Sequence, residues 1–284
     1  KKITGSNNIC VSGGSFLNCN TNELILKSNL YDGNYFIPCA DDSGIPLGCS
    51  WWGYKFIDGE FAPGNNMLSP YTGKVYSHNE IELDLRRFLS ETNSEESLDI
   101  QYYTSKEDQI KDLAFKISEN MVVGFFQGGS ELGPRALGNR SILASPKKEW
   151  VKDYINHEIK MREWYRPFAP SVLYENQSDV FDLDVFSPYM LVTARVKEEW
   201  KKRIPSVVHI DGTSRYQSVI SEFNPDYYSL IKNFYDLTGI PLVLNTSFNG
   251  PDEPIVETPY EALRTFWRRN IKSLYIGNYI ISRK

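Results

Sequence analysis

The sequence lacks the features of a membrane-spanning, secreted or duplex-binding protein. No apolar run approaches the ~20 residues that cross a bilayer, and the first residues lack the apolar stretch of a signal peptide. The formal net charge is −5 over 284 residues, whereas duplex-binding domains are usually basic. We therefore expect a cytoplasmic protein that does not enter a membrane and whose main ligand is not a nucleic acid.

Cysteine is also scarce, and its spacing disfavours a zinc site. The four cysteines are Cys10, Cys19, Cys39 and Cys49. No two of them have the CxxC spacing of a metal site, and all lie in the first fifty residues. We interpret them as small buried thiols in a reducing compartment.

The composition and the order of the elements indicate an α/β protein. Hydrophobic residues make up 41% of the chain, enough for a packed core. Residues 1–60 read as strand, glycine turn, helix, strand and helix, and two such units cannot cover both faces of a sheet alone. We predict that they end a larger domain, that residues 61–105 are a connector, and that residues 106–284 form a second domain.

Strands and helices alternate in that second domain, which is typical of α/β folds. The predicted strands are 121–127, 170–174, 189–196, 241–244 and 273–281. The predicted helices are 106–120, 150–161, 225–238 and 259–268.

A glycine-rich loop at residues 128–141 is the strongest chemical feature. Its glycines allow a backbone to approach a ligand closely, and Arg135 and Arg140 add planar forks suited to phosphate or carboxylate. The Gly-Lys-Ser/Thr ending of a Walker A loop is not there. The alternative is a surface turn with two solvated arginines.

A second group of cations lies among aromatic residues and prolines at residues 160–171. Lys160, Arg162 and Arg166 fall within seven residues, and the first two share a face only if the chain is extended there. Pro167 and Pro170 favour that conformation. The alternative is a set of long side chains that cover an aromatic surface with their charged ends in water.

Two further motifs carry polar groups. Residues 209–217 place His209 near Arg215 around an Asp-Gly turn, although a lone histidine is more often structural than catalytic. Residues 245–250 follow an apolar strand, and ligands of open α/β sheets bind beyond such strand ends. A simple turn remains the alternative. An acidic protein that concentrates cations in these loops is expected to bind an anion such as a polyphosphate.

These segments together resemble the NodU/CmcH family of carbamoyltransferases. The resemblance rests on residues 133–142, 159–170, 209–217 and 245–249, and it covers essentially the whole chain. It implies a YrdC-like C-terminal domain, with a twisted mixed sheet and helices. That domain would convert ATP, with Mg²⁺, and carbamoyl phosphate to carbamoyl adenylate.

The resemblance also implies roles for individual residues. The implied catalytic residues are Lys160, Arg162 and Arg166. The implied ATP and carbamoyl-phosphate ligands are Arg135, Arg140, Ser141, His209, Arg215, Ser247 and Asn249. Among these, Lys160 with Arg162 and Ser247 with Asn249 match the KxR and SxN signatures of YrdC-type folds.

The first sixty residues resemble the end of the family's actin-like (ASKHA) α/β transferase domain. Gly13, Gly14 and Asn18 match its nucleotide-contacting turn, and Asp42 matches a metal ligand, which implies Fe²⁺. The family's HxxxH ligands have no counterpart here, and one carboxylate holds a transition metal poorly. We expect either a preceding segment or a separate chain to supply them.

The resemblance therefore predicts transfer of a carbamoyl group to a hydroxyl of a small-molecule acceptor. Two alternatives remain open. One is synthesis of threonylcarbamoyl adenylate for tRNA modification, and the other is a non-catalytic nucleotide-binding partner module.

Overall fold

A computed structural model describes residues 2–59 and 69–284. The strands are β1 (Asn8–Val11), β2 (Gly33–Phe36), β3 (Leu98–Tyr102), β4 (Val123–Phe126), β5 (Arg140–Ala144), β6 (Ala169–Leu173), β7 (Val192–Arg195), β8 (Thr213–Val219), β9 (Leu242–Ser247), β10 (Ser273–Ile276) and β11 (Tyr279–Arg283). The α-helices are α1 (Cys19–Lys27), α2 (Ile45–Asp58), α3 (His78–Thr92), α4 (Lys106–Ser118), α5 (Glu149–Tyr154), α6 (Gln177–Val180), α7 (Glu198–Lys201), α8 (Pro225–Thr238) and α9 (Pro259–Arg268).

The N-terminal segment forms the predicted pair of strands around a helix. β1 and β2 are parallel, and α1 connects them. A 3-10 turn, Gly14–Leu17, precedes this helix, and α1 starts only at Cys19. It starts there because the side chain of Asn18 accepts hydrogen bonds from the N–H groups of Asn20 and Thr21.

Helix α2 keeps a large part of its apolar surface exposed. Trp52, Phe56 and Ile57 are 58%, 75% and 85% exposed. Contiguous apolar surface of this kind is usually covered by another part of a protein. The assignment of residues 1–60 to a larger transferase domain stays a prediction.

A mixed sheet of nine strands dominates the rest of the described chain, which confirms the α/β class. Its strand order is β3-β11-β10-β4-β5-β9-β6-β8-β7. The pairs β4–β10 and β6–β8 are parallel, and the other pairs within the sheet are antiparallel.

The structure corrects the predicted start of this domain. β3 pairs with β11 and therefore belongs to the sheet, although it lies in the predicted connector. α3 lies in the same stretch and packs on α9. The domain thus starts before residue 106. Residues 60–68 of the connector lie outside the described part of the chain.

Three of the strands and one irregular turn have no clear signal in the sequence. The strands β3, β5 and β8 are absent from the predicted set. Residues 273–281, predicted as one strand, form a hairpin that turns at Gly277. β5 is buried along its whole length, so it lacks the alternation that marks a strand. The predicted helix 150–161 is α5 followed by a π-turn, Ile155–Ile159.

The helices with strong end signals match their predictions. α8 starts after Asn224, whose side chain accepts a hydrogen bond from the N–H of Tyr227, and it ends at Gly239 with φ +67°. α9 starts with a reciprocal pair of hydrogen bonds between Thr258 and Glu261.

The thiols and the membrane expectation can be checked directly. All four cysteines are free, and Cys19 and Cys39 are buried. Cys10 and Cys49 are exposed, so the expectation of buried thiols is wrong for these two. No helix in the described ranges has the length and apolarity needed to span a membrane.

Gly138 offers a test of how the glycine-rich loop packs on the core. Its φ is +108°, and an added Cβ would lie 2.2 Å from Cδ1 of the buried Tyr227. We expect Gly138→Ala to lower the free energy of unfolding by about 2–4 kcal/mol, because the methyl group overlaps the ring and the backbone conformation is disfavoured.

Urea denaturation measures this change. Gly48→Ala in α2 is the matched control, because its added Cβ meets no atom within 4 Å and alanine favours a helix. Equal stability of the two variants would contradict the packing described here.

Candidate functional site

One face of the sheet is polar where β6, β8 and β9 lie side by side. Side chains alternate along a strand, so Arg215 shares a face with Gln217 in β8, and Asn245 shares one with Ser247 in β9. In the sheet, Ser171 of β6 pairs with Gln217 of β8, and β6 also pairs with β9. This register places the polar side chains of β8 and those of β9 on the same face of the sheet. This alternation explains why β8 is rich in polar residues and was not recognised as a strand.

The glycine-rich loop between β4 and β5 is anchored to this polar face. Asn245 Nδ2 donates to the carbonyl of Ala136 at 3.1 Å, and Gln217 Nε2 donates to that of Leu137 at 2.8 Å. Arg135 is adjacent in sequence to the anchored Ala136. The hydrogen bonds of the sheet therefore hold the part of the loop that carries Arg135.

A carboxylate organises the same loop from within. One oxygen of Glu131 accepts hydrogen bonds from the N–H groups of Leu137, Asn139 and Arg140 at 2.7, 2.8 and 3.1 Å. These bonds satisfy backbone donors that no regular element would pair. In the sequence, nothing local distinguishes Glu131 from a surface carboxylate, so its role is visible only in the fold.

Two adjoining cavities lie over the polar face, and we call them together the cationic cleft. Their volumes are about 120 Å³ and about 470 Å³. Both are lined by Arg135, Arg162, Pro167, Phe168 and Arg215. The shared lining brings three arginines from three separate segments of the chain to one place.

The charges of the cleft are unbalanced. Within the described part of the chain, Arg135, Arg162 and Arg215 form no ion pair with a carboxylate. Burial lowers the pKa of Arg215 to about 10, and the neighbouring charge of Arg135 acts in the same direction. Burial also lowers the pKa of Arg162. An anion in the cleft would relieve this repulsion.

Lys160 lies directly behind the cleft and is 5% exposed. Its Nζ is 2.5 and 3.1 Å from the carbonyl and hydroxyl oxygens of Ser247, and 3.0 and 2.7 Å from the carbonyl and side-chain oxygens of Asn249. Burial and, to a smaller extent, the neighbouring charge of Arg162 lower the pKa of Lys160 to about 7. Lys160 therefore ties the SxN segment to the KxR segment.

The π-turn after α5 sets the positions of Lys160 and Arg162. The N–H of Lys160 donates to the carbonyl of Ile155, and Met161 has a left-handed φ of +46°. Arg162 is held by Asn156 through two hydrogen bonds. Its backbone N–H donates to the carbonyl of Asn156, and its Nε donates to Asn156 Oδ1 at 2.7 Å. Such π-turns are frequent at functional sites.

The structure brings most of the predicted ligand residues together. The predicted residues that line the cationic cleft are Arg135, Arg162, Arg166, His209, Arg215, Ser247 and Asn18. Arg166 lies at the outer part, where its Nε is 2.8 Å from the Glu163 carboxylate. Burial lowers the pKa of His209, which favours its neutral form.

Arg140 and Ser141 do not reach the cleft, and their assignment as ligand contacts is corrected. Arg140 begins β5 and faces away from the polar side of the sheet, where it stacks 3.8 Å from the Phe126 ring centre. Its guanidinium donates to the carbonyls of Gln127 and Gly128. Ser141 shares the polar face, but it is fully buried and accepts a hydrogen bond from the Gly138 N–H.

The N-terminal segment forms one wall of the cleft. Leu17, Asn18, Cys19 and Asn20 line the larger cavity. The segment is docked by Asn22, whose Nδ2 donates to the carbonyl of Leu191 at 2.8 Å. The sequence holds no local signal for this contact, since its partners are 169 positions apart.

Of the predicted nucleotide contacts, Asn18 lines the larger cavity, whereas Gly13, Gly14 and the predicted metal ligand Asp42 are not among the lining residues. Gly13 has φ +99° and its N–H donates to the Ala40 carbonyl, while Gly14 starts a 3-10 turn. Asp42 starts another 3-10 turn. No group of three or more His, Cys, Asp or Glu side chains that could hold a metal occurs in residues 2–59 and 69–284. The described residues alone do not fit an iron site, and Asp42 stays a prediction.

The fold and the cleft define an α/β protein with a partly buried, cation-lined site. The chain belongs to the family described as "Carbamoyltransferase C-terminus", whose profile matches residues 114–283. It is 36% identical to nodulation protein NolO of Bradyrhizobium diazoefficiens over 100% of this chain and 51% of that protein. It is 34% identical to nodulation protein U of Rhizobium tropici over 87% of this chain and 39% of that protein.

The chain spans about half the length of the first curated relatives it matches. Among solved structures, full-length HypF in its phosphate- and nucleotide-bound form is similar over 63% of this chain and 24% of that one. The TM-score is 0.41 and the identity 19%. A similarity this weak carries no argument about the chemistry.

The pKa of Lys160 leads to a prediction about ligand binding. Lys160 is an ammonium below about pH 7 and a neutral amine above it. A bound polyphosphate favours the ammonium, so the affinity for such an anion should fall as the pH rises above about 7, by up to about tenfold per pH unit. Calorimetric titration with ATP between pH 6 and 9 measures this dependence.

The control for this prediction is Lys160→Met, which cannot titrate. The protonation of ATP itself is common to both proteins, so the ratio of their affinities isolates the contribution of Lys160. If this ratio is constant with pH, the charge of Lys160 does not act on the ligand.

Proposed function

We propose that the chain forms carbamoyl adenylate from ATP and carbamoyl phosphate, as one half-reaction of an ATP-dependent O-carbamoyltransferase. The observation that supports this most is the convergence of Arg135, Arg162 and Arg215 on one cleft without a carboxylate partner. Membership of the carbamoyltransferase family supports the chemical class. The acceptor in the second half-reaction is proposed to be a hydroxyl of a small molecule.

The proposed reaction has two steps, each of which forms one bond and breaks another. Water first displaces the phosphate of carbamoyl phosphate and leaves carbamate. An oxygen of carbamate then forms a bond to the α-phosphorus of ATP, and the bond to pyrophosphate breaks. The products are carbamoyl adenylate, phosphate and pyrophosphate. Negative charge develops on the α-phosphoryl oxygens and on the leaving group, and fixed cations stabilise it.

The residues of the cleft suit this distribution of charge. The three arginines present planar donors to phosphoryl oxygens, and Lys160 positions Ser247 at the cavity wall. Mg²⁺ would enter with ATP as part of the substrate, held mainly by phosphate oxygens. Among the described lining residues the one carboxylate is that of Asp211, which accepts from the hydroxyl of Thr213 at 2.6 Å.

The second half-reaction is assigned to an actin-like domain whose end is formed by residues 1–60. The docking of this segment against the cationic cleft supports a coupling of the two steps. Because the described residues alone do not provide an iron ligand set, no step of the transfer is assigned to Asp42.

Pyrophosphate release tests the first half-reaction. With the 284-residue chain and labelled ATP, release should require both ATP and carbamoyl phosphate. Arg162→Ala removes a donor from the cavity, and Lys160→Ala removes the ammonium that ties Ser247 and Asn249 to the KxR segment. Each should lower the rate by at least about 100-fold. Arg195→Ala, a change of the same charge at an exposed strand end, should have little effect.

Product analysis separates the proposal from its alternatives. Pyrophosphate release with bicarbonate and threonine, but not with carbamoyl phosphate, would identify threonylcarbamoyl adenylate synthesis. Binding of ATP without pyrophosphate release under either condition would identify a nucleotide-binding module. Either result would reject carbamoyl adenylate formation.

A further inference from the structure

A buried cluster of amide and hydroxyl groups reaches the smaller cavity of the cationic cleft through one of its members. Ser171 Oγ donates to Gln217 Oε1 at 2.7 Å and accepts from Asn245 Nδ2 at 3.0 Å. These three residues are 0%, 2% and 1% exposed. Of the three, Asn245 is the one that lines the cavity.

The contacts of Asn245 decide which way its amide points. Nδ2 is 3.1 Å from the carbonyl oxygen of Ala136, which can only accept a hydrogen bond. The amide nitrogen must therefore lie on the side of the loop, and Oδ1 must lie on the other side. Rotating the amide by 180° would set two acceptors against each other.

Asn245 Oδ1 has no donor. It is a buried acceptor without a hydrogen-bond partner, and it is the one such acceptor among the described residues that line the smaller cavity. Buried acceptors are nearly always paired in folded proteins. An unpaired one that lines a cavity indicates that a ligand donates to it.

The charged groups of the smaller cavity are all donors. The guanidinium groups of Arg135, Arg162 and Arg215 have only N–H groups, and they suit the oxygens of phosphate and carbamoyl groups. The nitrogen of a carbamoyl group carries two hydrogens and needs an acceptor instead. An acetyl group has nearly the same shape, but it has a methyl group in place of the NH₂ and donates no hydrogen bond.

We propose that Asn245 Oδ1 accepts a hydrogen bond from the carbamoyl NH₂ and selects carbamoyl over acyl substrates. The inference deepens the proposed function and rests on it. Asn245 is then a specificity-determining residue, in addition to anchoring the loop that carries Arg135. A site built to accept a substrate N–H discriminates strongly against an analogue without it, because its own acceptor would stay unpaired.

A comparison of carbamoyl phosphate with acetyl phosphate tests this proposal. The measured quantity is the ratio of kcat/KM for pyrophosphate release with the two substrates. The wild-type chain should prefer carbamoyl phosphate, and Asn245→Ala should lower the ratio by at least about tenfold. Asn245→Ala lowers the ratio because it removes an oxygen that binds the carbamoyl NH₂ group but would stay unpaired with an acetyl group.

Two further variants separate recognition from loop anchoring. Gln217→Leu removes the other anchor of the loop and a long hydrogen bond of 3.4 Å from Asn245 Nδ2, but it leaves Asn245 Oδ1 and the cavity lining unchanged, so it should lower both activities by a similar factor. Asn245→Asp keeps an oxygen acceptor but loses the donor to Ala136, so its ratio should stay near the wild-type value while both rates fall. Thermal unfolding checks that each variant is folded, and Asn245→Leu replaces Asn245→Ala if the latter does not fold.

The possible results are distinct. If the wild-type chain releases pyrophosphate with carbamoyl phosphate but Asn245→Ala keeps the wild-type ratio, the role of Asn245 is rejected and the proposed function stands. If Gln217→Leu changes the ratio as much as Asn245→Ala does, selectivity belongs to the loop and the role of Asn245 is also rejected. If the wild-type chain releases no pyrophosphate, both proposals are rejected.

Discussion

The cationic cleft depends on a repulsive interaction, the approach of three partly buried guanidinium groups that have no carboxylate partner within the described part of the chain. Like charges in a poorly solvated place destabilise each other, and the lowered pKa of Arg215 reflects this. A structural role would be served better by ion pairs. Residues that are unfavourable for stability and yet held in position are characteristic of binding and catalytic sites.

Neutral hydrogen-bond acceptors and donors hold these charges in place. The loop with Arg135 is fastened through backbone carbonyls to the side chains of Asn245 and Gln217, and Asn156 orients Arg162. Amides can do this without cancelling the charge, whereas carboxylates would neutralise the site. Glu131, which is a carboxylate, binds backbone N–H groups in the described structure rather than an arginine of the cleft.

Several parts of this arrangement could be predicted from the sequence. The helices α8 and α9 have local end signals, and their limits match the prediction. The four motifs contain most of the residues that line the cleft or lie directly behind it. Arg140 was predicted wrongly because it lies next to the loop but inside a strand, where alternation turns it to the opposite face. A shift of one residue along a strand reverses the direction of a side chain.

The sequence by itself determined the α/β class, the cation-rich loops and the resemblance to carbamoyltransferases, because these depend on residue type and short spacing. Only the tertiary structure decided which cations meet. Arg135, Arg162 and Arg215 lie in separate segments, and their convergence depends on the order of β5, β9, β6 and β8 in the sheet. The unpaired oxygen of Asn245 was equally invisible in the sequence, since it results from contacts with residues 74 and 109 positions away.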